Sequence, residues 1–337
     1  MRFFKAIAGG AAAALISTAA FAADYTLTIA SWAPPTHGMN AKMWPGLIAK
    51  IEEATGGKVT AEIKYRLAPP PAMMDLVLDG AADMTWIFHG YSAGRFTATK
   101  LIELPGYEGS AEAASVAYWR VYKAHLEKIA EHKGVKVIGL MTHGPAQLHS
   151  SKKVSALSEV SGMKLRVPGG VGGDVGAALG ATGIKVPAPK VYETLASNAA
   201  DGVVMPMEAR KGFKLTEVAQ NVLEMPGGYY RGSFALIMSQ EAFDALPADI
   251  QKALDEKVFG EALSRMAGQV WDEIDAEGRA VTEAADGNSV NAVSAADAAA
   301  FAKIAEDIRT KVMAEIDAKG IDAKAAYEMV KKEMAAN

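Results

Sequence analysis

The feature that most constrains this chain is a change of period along its length. Over the first two-thirds, short alternating segments trade places with segments of helical spacing; from about Pro247 onward only helical spacing remains. Val59, Ala61, Ile63 and Tyr65 alternate with Thr60, Glu62 and Lys64, the pattern of a half-buried strand. Before them Trp44, Leu47, Ile48 and Ile51 fall on one helix face, with Asn40 placed to cap it and Gly56-Gly57 to stop it. Residues 25–31, 84–88, 135–141, 164–167, 203–205 and 234–238 read as further strands, with helices between most of them, notably 112–131 and 191–196. This alternation predicts an α/β architecture. In the last third Ile250, Leu254, Val258, Leu263, Met266, Val270 and Ile274 share a face. They predict either one helix of roughly 30–38 residues, about 45–57 Å long, or two helices broken near Gly260 or Gly268. Asp286-Gly287-Asn288 marks a turn, followed by helices near 295–319 and 322–335.

The start of the chain reads as an export signal. Arg2 and Lys5 precede an Ala-rich apolar run ending Ala20-Phe21-Ala22, so cleavage is expected after Ala22. The run is short for a bilayer span, and no other stretch is apolar enough to make one. Cleavage would leave 33 basic against 39 acidic residues, a net charge of −6. A mildly acidic surface without a Lys/Arg block argues against a nucleic-acid partner. The absence of cysteine excludes disulfides, thiolate nucleophiles, Cys-ligated zinc and a lipid-modified N-terminal Cys.

Open α/β sheets bind ligands beyond the carboxyl ends of their strands. Three such loops carry aromatic and hydrogen-bonding groups: 32–38 with Trp32 and His37, 89–94 with His89 and Tyr91, and 143–147 with His143 and Gln147. They predict a cleft with aromatic walls. Arg166 stands between apolar neighbours in a short strand pattern ending Pro168-Gly169-Gly170. A guanidinium in or beside the core needs a partner. Its planar fork suits a ligand carboxylate, a structural ion pair answers the same need, and a solvent-facing position removes it. The glycines of 169–176 match neither a Walker loop nor a dinucleotide fingerprint and read as a turn into a helix. Gly90-Tyr91-Ser92-Ala93-Gly94 matches the nucleophile elbow of α/β hydrolases, so a secreted esterase built on Ser92 is the alternative reading. Its context is poor, because no good helix pattern follows and the downstream histidines, His125, His132, His143 and His149, all lie in the first half of the chain. No metal-ligand spacing stands out among the six histidines.

The segments Gly162-Met163-Lys164-Leu165-Arg166-Val167-Pro168, Val191-Tyr192-Glu193-Thr194-Leu195, Asp201-Gly202 with Pro206, and Ala242-Phe243-Asp244-Ala245-Leu246-Pro247 carry a family resemblance. Together they resemble the substrate-binding subunits of tripartite ATP-independent periplasmic (TRAP) transporters of the DctP type, over essentially the whole mature chain. The resemblance implies a two-lobed α/β periplasmic binding-protein fold, with a long helix bridging the lobes and a helical C-terminal region. Lobe I would comprise 23–143 plus 231–270, and lobe II 144–230 plus 271–337. It further implies a periplasmic, monomeric, non-enzymatic protein without cofactor or metal, handing a small organic acid to membrane permease subunits. A role in sensing instead of transport is equally compatible with the residues. Arg166 would bind the carboxylate, with Trp32, His37, Trp86, His89, Tyr91, Gln147, Met205 and Glu208 lining the same cleft. Two departures bear on the ligand: Met205 stands where many relatives carry Asn, and Ala146-Gln147 where some carry a second Arg. They point to a singly anchored monocarboxylate with an apolar, aromatic or modestly hydroxylated body, not to a dicarboxylate or a sialic-type sugar acid.

Overall fold

The alternating segments become strands β1 (Tyr25–Ser31), β2 (Val59–Tyr65), β3 (Met84–Phe88) and β4 (Val135–Thr142) in a computed structural model that describes residues 23–337. Helices α1 (Trp44–Thr55), α2 (Met73–Leu78), α3 (Lys100–Glu103) and α4 (Ala111–Val121) lie between them. The chain then builds β5 (Gln147–Ser150), β6 (Lys164–Val167), α5 (Gly170–Ala178), β7 (Thr182–Lys185), α6 (Val191–Ala196), β8 (Gly202–Met205), α7 (Ala209–Gly212), α8 (Leu215–Val218) and β9 (Asn221–Glu224). It returns through β10 (Ser233–Ser239) and continues as α9 (Gln240–Asp244), α10 (Ala248–Lys257), α11 (Glu261–Ala284), β11 (Ser289–Ala292), α12 (Ala295–Asp317) and α13 (Ala323–Ala336). The expected signal segment and its cleavage point lie outside the described residues. Among the described residues no helix is long and apolar enough to cross a membrane.

Two mixed sheets result. The first has order β2-β1-β3-β10-β4, with β1 parallel to β2 and β3, and β10 antiparallel to β3 and β4. The second has order β11-β9-β5-β8-β6-β7, with β5 antiparallel to β8 and β9. Two crossing segments join them, one after β4 and one before β10. They run side by side, the Ala146 amide donating to Tyr230 O at 3.0 Å and the Tyr229 amide to Ala146 O at 2.8 Å.

The helical region departs from the single-helix expectation at Gly260. There the backbone takes φ 76° and ψ −131°, ending α10 and restarting as α11, and a Cβ would stand 3.0 Å from the Trp119 ring. α11 has 24 residues and so spans about 36 Å. Gly268 is no break. A Cβ at Gly268 would meet Glu112 Cα at 2.6 Å, and one at Gly278 would meet Met207 O at 2.0 Å. These two glycines let α11 press its backbone against the start of α4 and against the segment following β8. It therefore bridges both sheets, as expected, though it is shorter than the longest reading.

Asn40 does not cap α1. It sits in a π-helical turn and donates its amide to Ala33 O and Pro34 O at 3.0 and 2.8 Å, holding the loop after β1 in place. α13 packs on α4, burying Val330 and Met334 and pairing Glu333 with Arg120 at 2.6 Å.

Candidate functional site

Arg166 is carried by β6, and its neighbours Leu165 and Val167 are buried. The side chain is only 1% exposed. Its Nε donates to Val186 O at 2.8 Å and one terminal nitrogen donates to Tyr91 Oη at 3.2 Å. Among the described residues no carboxylate lies within ion-pair distance of the guanidinium. Tyr91 Oη also accepts the Ala188 amide at 2.8 Å. With both lone pairs engaged, the tyrosine proton remains available to an acceptor in the cavity.

The cavity beside Arg166 is narrow in this conformation, with about 30 Å³ of accessible volume. Its walls are built in layers. Trp32 stacks on Trp86 with centroids 4.0 Å apart and 13° between planes; Trp86 stacks on Phe234 at 5.6 Å, and Phe234 on Trp271 at 5.5 Å. Hydrogen bonds fix the first pair, since Trp32 Nε1 donates to Trp86 O and Trp86 Nε1 to Ser31 Oγ, both at 3.0 Å. Trp86 thus supports the wall from behind, and Trp32 forms its surface. Met205 and Pro206 close one side, and Phe88 leans edge-on against Tyr91 at 4.7 Å. His143 also faces the cavity; burial drives its pKa down to about 3, so it stays neutral, with Nδ1 bonded to Gly144 O at 2.6 Å.

His37 and Glu208 complete the lining, 1% and 3% exposed. His37 Nε2 and Glu208 Oε2 approach to 3.2 Å without the alignment of a hydrogen bond. Glu208 also donates its amide to Asp275 Oδ1 at 2.7 Å, which ties the segment after β8 to α11.

Two expected lining residues stand elsewhere. His89 is buried in the first lobe, Nδ1 on Ser233 Oγ at 3.0 Å and Nε2 on His132 Nε2 at 2.8 Å, and burial holds its pKa well below the usual histidine range. Its strand-end position is real, but its ring turns into the core, away from Arg166. Gln147 clamps the backbone of Met225 from both sides, donating to its O at 3.2 Å and accepting from its N at 2.7 Å. That bond braces one crossing segment. Ser92 follows a single 3-10 turn, and the next helix, α3, begins only at Lys100, so the strand-turn-helix of a nucleophile elbow is absent there. Ser92 lines a larger opening of about 430 Å³ with Lys100, Asp174 and Lys185, on which neither Arg166 nor the tryptophans border.

Phe213, Tyr230, Phe234 and Trp271 line the cavity and were not singled out from the sequence. Each reads locally as a core aromatic. Only Trp271 carried a usable signal, lying on the buried stripe of α11 with Ala267, Ile274 and Gly278.

Residues 32–316 match the profile of the family described as bacterial extracellular solute-binding protein, family 7 (DctP). Among solved structures, a TRAP periplasmic solute-binding protein from Bordetella bronchiseptica with bound (R)- and (S)-mandelate is similar at 35% identity. It covers 92% of this chain and 99% of its own, with a TM-score of 0.89. A TRAP solute-binding protein from Rhodoferax ferrireducens in complex with copurified benzoate is similar at 27% identity, over 92% of this chain and 98% of its own, with a TM-score of 0.86. The protein named outer membrane transporter protein TsaT, from Comamonas testosteroni, is 25% identical over the full length of both chains.

Proposed function

The chain belongs to the bacterial extracellular solute-binding proteins of family 7, the DctP type, and from that premise we propose that it captures a small aromatic monocarboxylate through Arg166. The observation that carries this reading is a buried guanidinium, free of any protein carboxylate, set at the edge of a cavity walled by tryptophan and phenylalanine. Arg166 supplies a planar fork for the carboxylate, and Tyr91 adds a hydroxyl donor beside it. The stacked rings receive the ligand's apolar body. Mandelate and benzoate in the two similar structures are acids of this class. Membership in a family of transport components removes the ground for a hydrolase at Ser92.

The two lobes close over the acid about the crossing segments, excluding water and strengthening the charge pair. Export with cleavage after Ala22 places the protein in the periplasm, where the closed complex delivers its acid to a TRAP-type membrane permease. The test is a thermal-shift screen of the mature chain against aromatic and aliphatic acids. A ligand at 100 times its Kd stabilises the folded state by about 2.7 kcal/mol. Aromatic monocarboxylates should shift the wild type and leave Arg166→Ala unmoved. Tight binding of aliphatic dicarboxylates alone would overturn the assignment.

A further inference from the structure

Resting on that reading of the cavity, we infer that the pair His37–Glu208 is a hydroxyl-recognition subsite, and that the ligand is an aromatic monocarboxylate bearing one hydroxyl group away from its anchored carboxylate.

Two charged groups lining the cavity differ in what they lack. Arg166 is a cation without an anion. Glu208 is an anion without a fully directed donor. The Glu208 carboxylate receives no hydrogen bond from the described residues, and the nearest cationic-type atom is His37 Nε2. Glu208 also borders a small outer recess with Lys42 and Lys211, but Lys42 is committed to Glu273 and Glu277, and Lys211 to Glu277. Those lysines do not neutralise it.

The histidine tautomer follows from its own contacts. His37 Nδ1 accepts the Met39 amide at 3.2 Å, so a ring proton resides on Nε2. That Nε2 is buried, faces the aromatic cavity and has no aligned partner. Its ring is wedged among Trp86, Phe213 and Trp271, with centroids 5.2 to 5.9 Å away, so it has little freedom to turn elsewhere. A buried donor and a buried acceptor 3.2 Å apart, neither aligned on the other, fit one group that accepts from the first and donates to the second. A hydroxyl does both, and a carboxylate does not, because it has no proton to give Glu208.

The same pair therefore acts against competitors. A ligand without the hydroxyl leaves a buried acceptor and a buried donor unmatched, the kind of mismatch by which sites reject analogues lacking an OH. A dicarboxylate sets a second negative charge toward Glu208. Contacts run from Arg166 to Tyr91, from Tyr91 to Trp32 at 6.3 Å, on to Trp86 and then to His37, so a chain of aromatic contacts links the two subsites.

Calorimetric titration of the mature chain with benzoate, its three monohydroxy isomers and the benzenedicarboxylates tests this directly. At least one monohydroxy isomer should bind about ten-fold or more tighter than benzoate, and the dicarboxylates more weakly than benzoate. In Glu208→Gln, which keeps shape and removes charge, the hydroxyl preference should fall below about three-fold and the dicarboxylate penalty should shrink. Arg166→Lys should weaken every acid together and keep the ratio. Benzoate binding as tightly as every hydroxylated isomer, with binding still dependent on Arg166, would overturn the subsite and leave the carboxylate site standing. Failure of all the acids to bind would overturn both.

Discussion

Two arginines of the second lobe are buried almost equally, and they are used in opposite ways. Arg210, on α7, spends every nitrogen on the protein: Nε on Thr282 Oγ1 at 2.9 Å, one terminal nitrogen on the carbonyls of Leu215 and Ala219, the other on Asn288 Oδ1. Arg166 makes two bonds and presents the rest of its fork to an aromatic cavity. Neither has a carboxylate partner among the described residues, so the missing ion pair does not tell them apart. Saturation of donors does. Arg210 ties α7, α8 and the end of α11 into one unit, and burial lowers its pKa to about 10, still charged at neutral pH. Arg166 is held in place by neutral acceptors and keeps its charge for a guest.

The sharpest way to break this contrast is to delete each arginine in turn. Arg166→Ala should cost roughly a thousand-fold in affinity for the preferred acid, about 4 kcal/mol, measured by calorimetry. Its unliganded Tm should match or exceed the wild type, because an incompletely satisfied buried charge has been removed. Arg210→Met should do the reverse. Orphaned carbonyls and hydroxyls should lower unfolding stability by about 3 kcal/mol in urea denaturation. The affinity of the folded fraction should change by less than about three-fold. Equal Tm losses in the two variants would show that Arg166 is a structural clamp as well.

The contrast also explains what could be read from the residues alone. Arg166 was legible because its signal is local, a charge between apolar neighbours in a short strand that ends at Pro168. Seven strands were legible for the same reason, each showing a period or an apolar run. Four others, β5, β7, β9 and β11, are four-residue strands that show neither a period nor an apolar run. In β5 the pattern is absent altogether, since Gln147, His149 and Ser150 are all buried, the first two bonding to the distant Met225 backbone and Met205 O. The aromatic wall was half legible. Trp32 and Tyr91 sit in loops after strands, whereas Phe213, Tyr230 and Trp271 are brought to the cavity by chain crossings that no local pattern records. His89 shows the cost of reasoning by position, because a strand end fixes where a side chain starts and not which way it turns.

A second test separates scaffold from site by pH. Burial raises the Asp275 pKa to about 8, with the Glu208 and Asp272 charges adding to it. The folded state thus binds a proton that the unfolded chain releases near pH 4. The stability this group contributes is complete below pH 4 and is lost as pH rises through about 8. Glu103, raised to about 7 by burial, acts in the same direction. The buried His132, His143 and His149, each lowered to about 3 by burial, act oppositely, losing stability as pH falls from 6.5 toward 3. Asp275→Asn keeps the acceptor for the Glu208 amide and removes the titration. Relative to wild type it should gain about 3–4 kcal/mol between pH 5 and pH 8, read from Tm across that range. A constant difference between the two curves would mean that Asp275 is ionised in the folded protein.

The finest test of the contrast is Tyr91→Phe, because Tyr91 is the residue that keeps Arg166 partly saturated. Removing its hydroxyl leaves the Ala188 amide and one Arg166 nitrogen without an acceptor. If Arg166 were a structural residue like Arg210, that loss would appear chiefly in the unliganded Tm. In a carboxylate site the freed nitrogen gains a new acceptor when the acid arrives, so part of the cost is recovered in the complex. What is not recovered is the hydroxyl proton that both occupied lone pairs leave facing the cavity. Affinity should therefore fall only five- to ten-fold, about 1 kcal/mol, far less than in Arg166→Ala. A loss as large as that of Arg166→Ala would make the tyrosine the principal anchor and move the site's centre from β6 to the loop after β3.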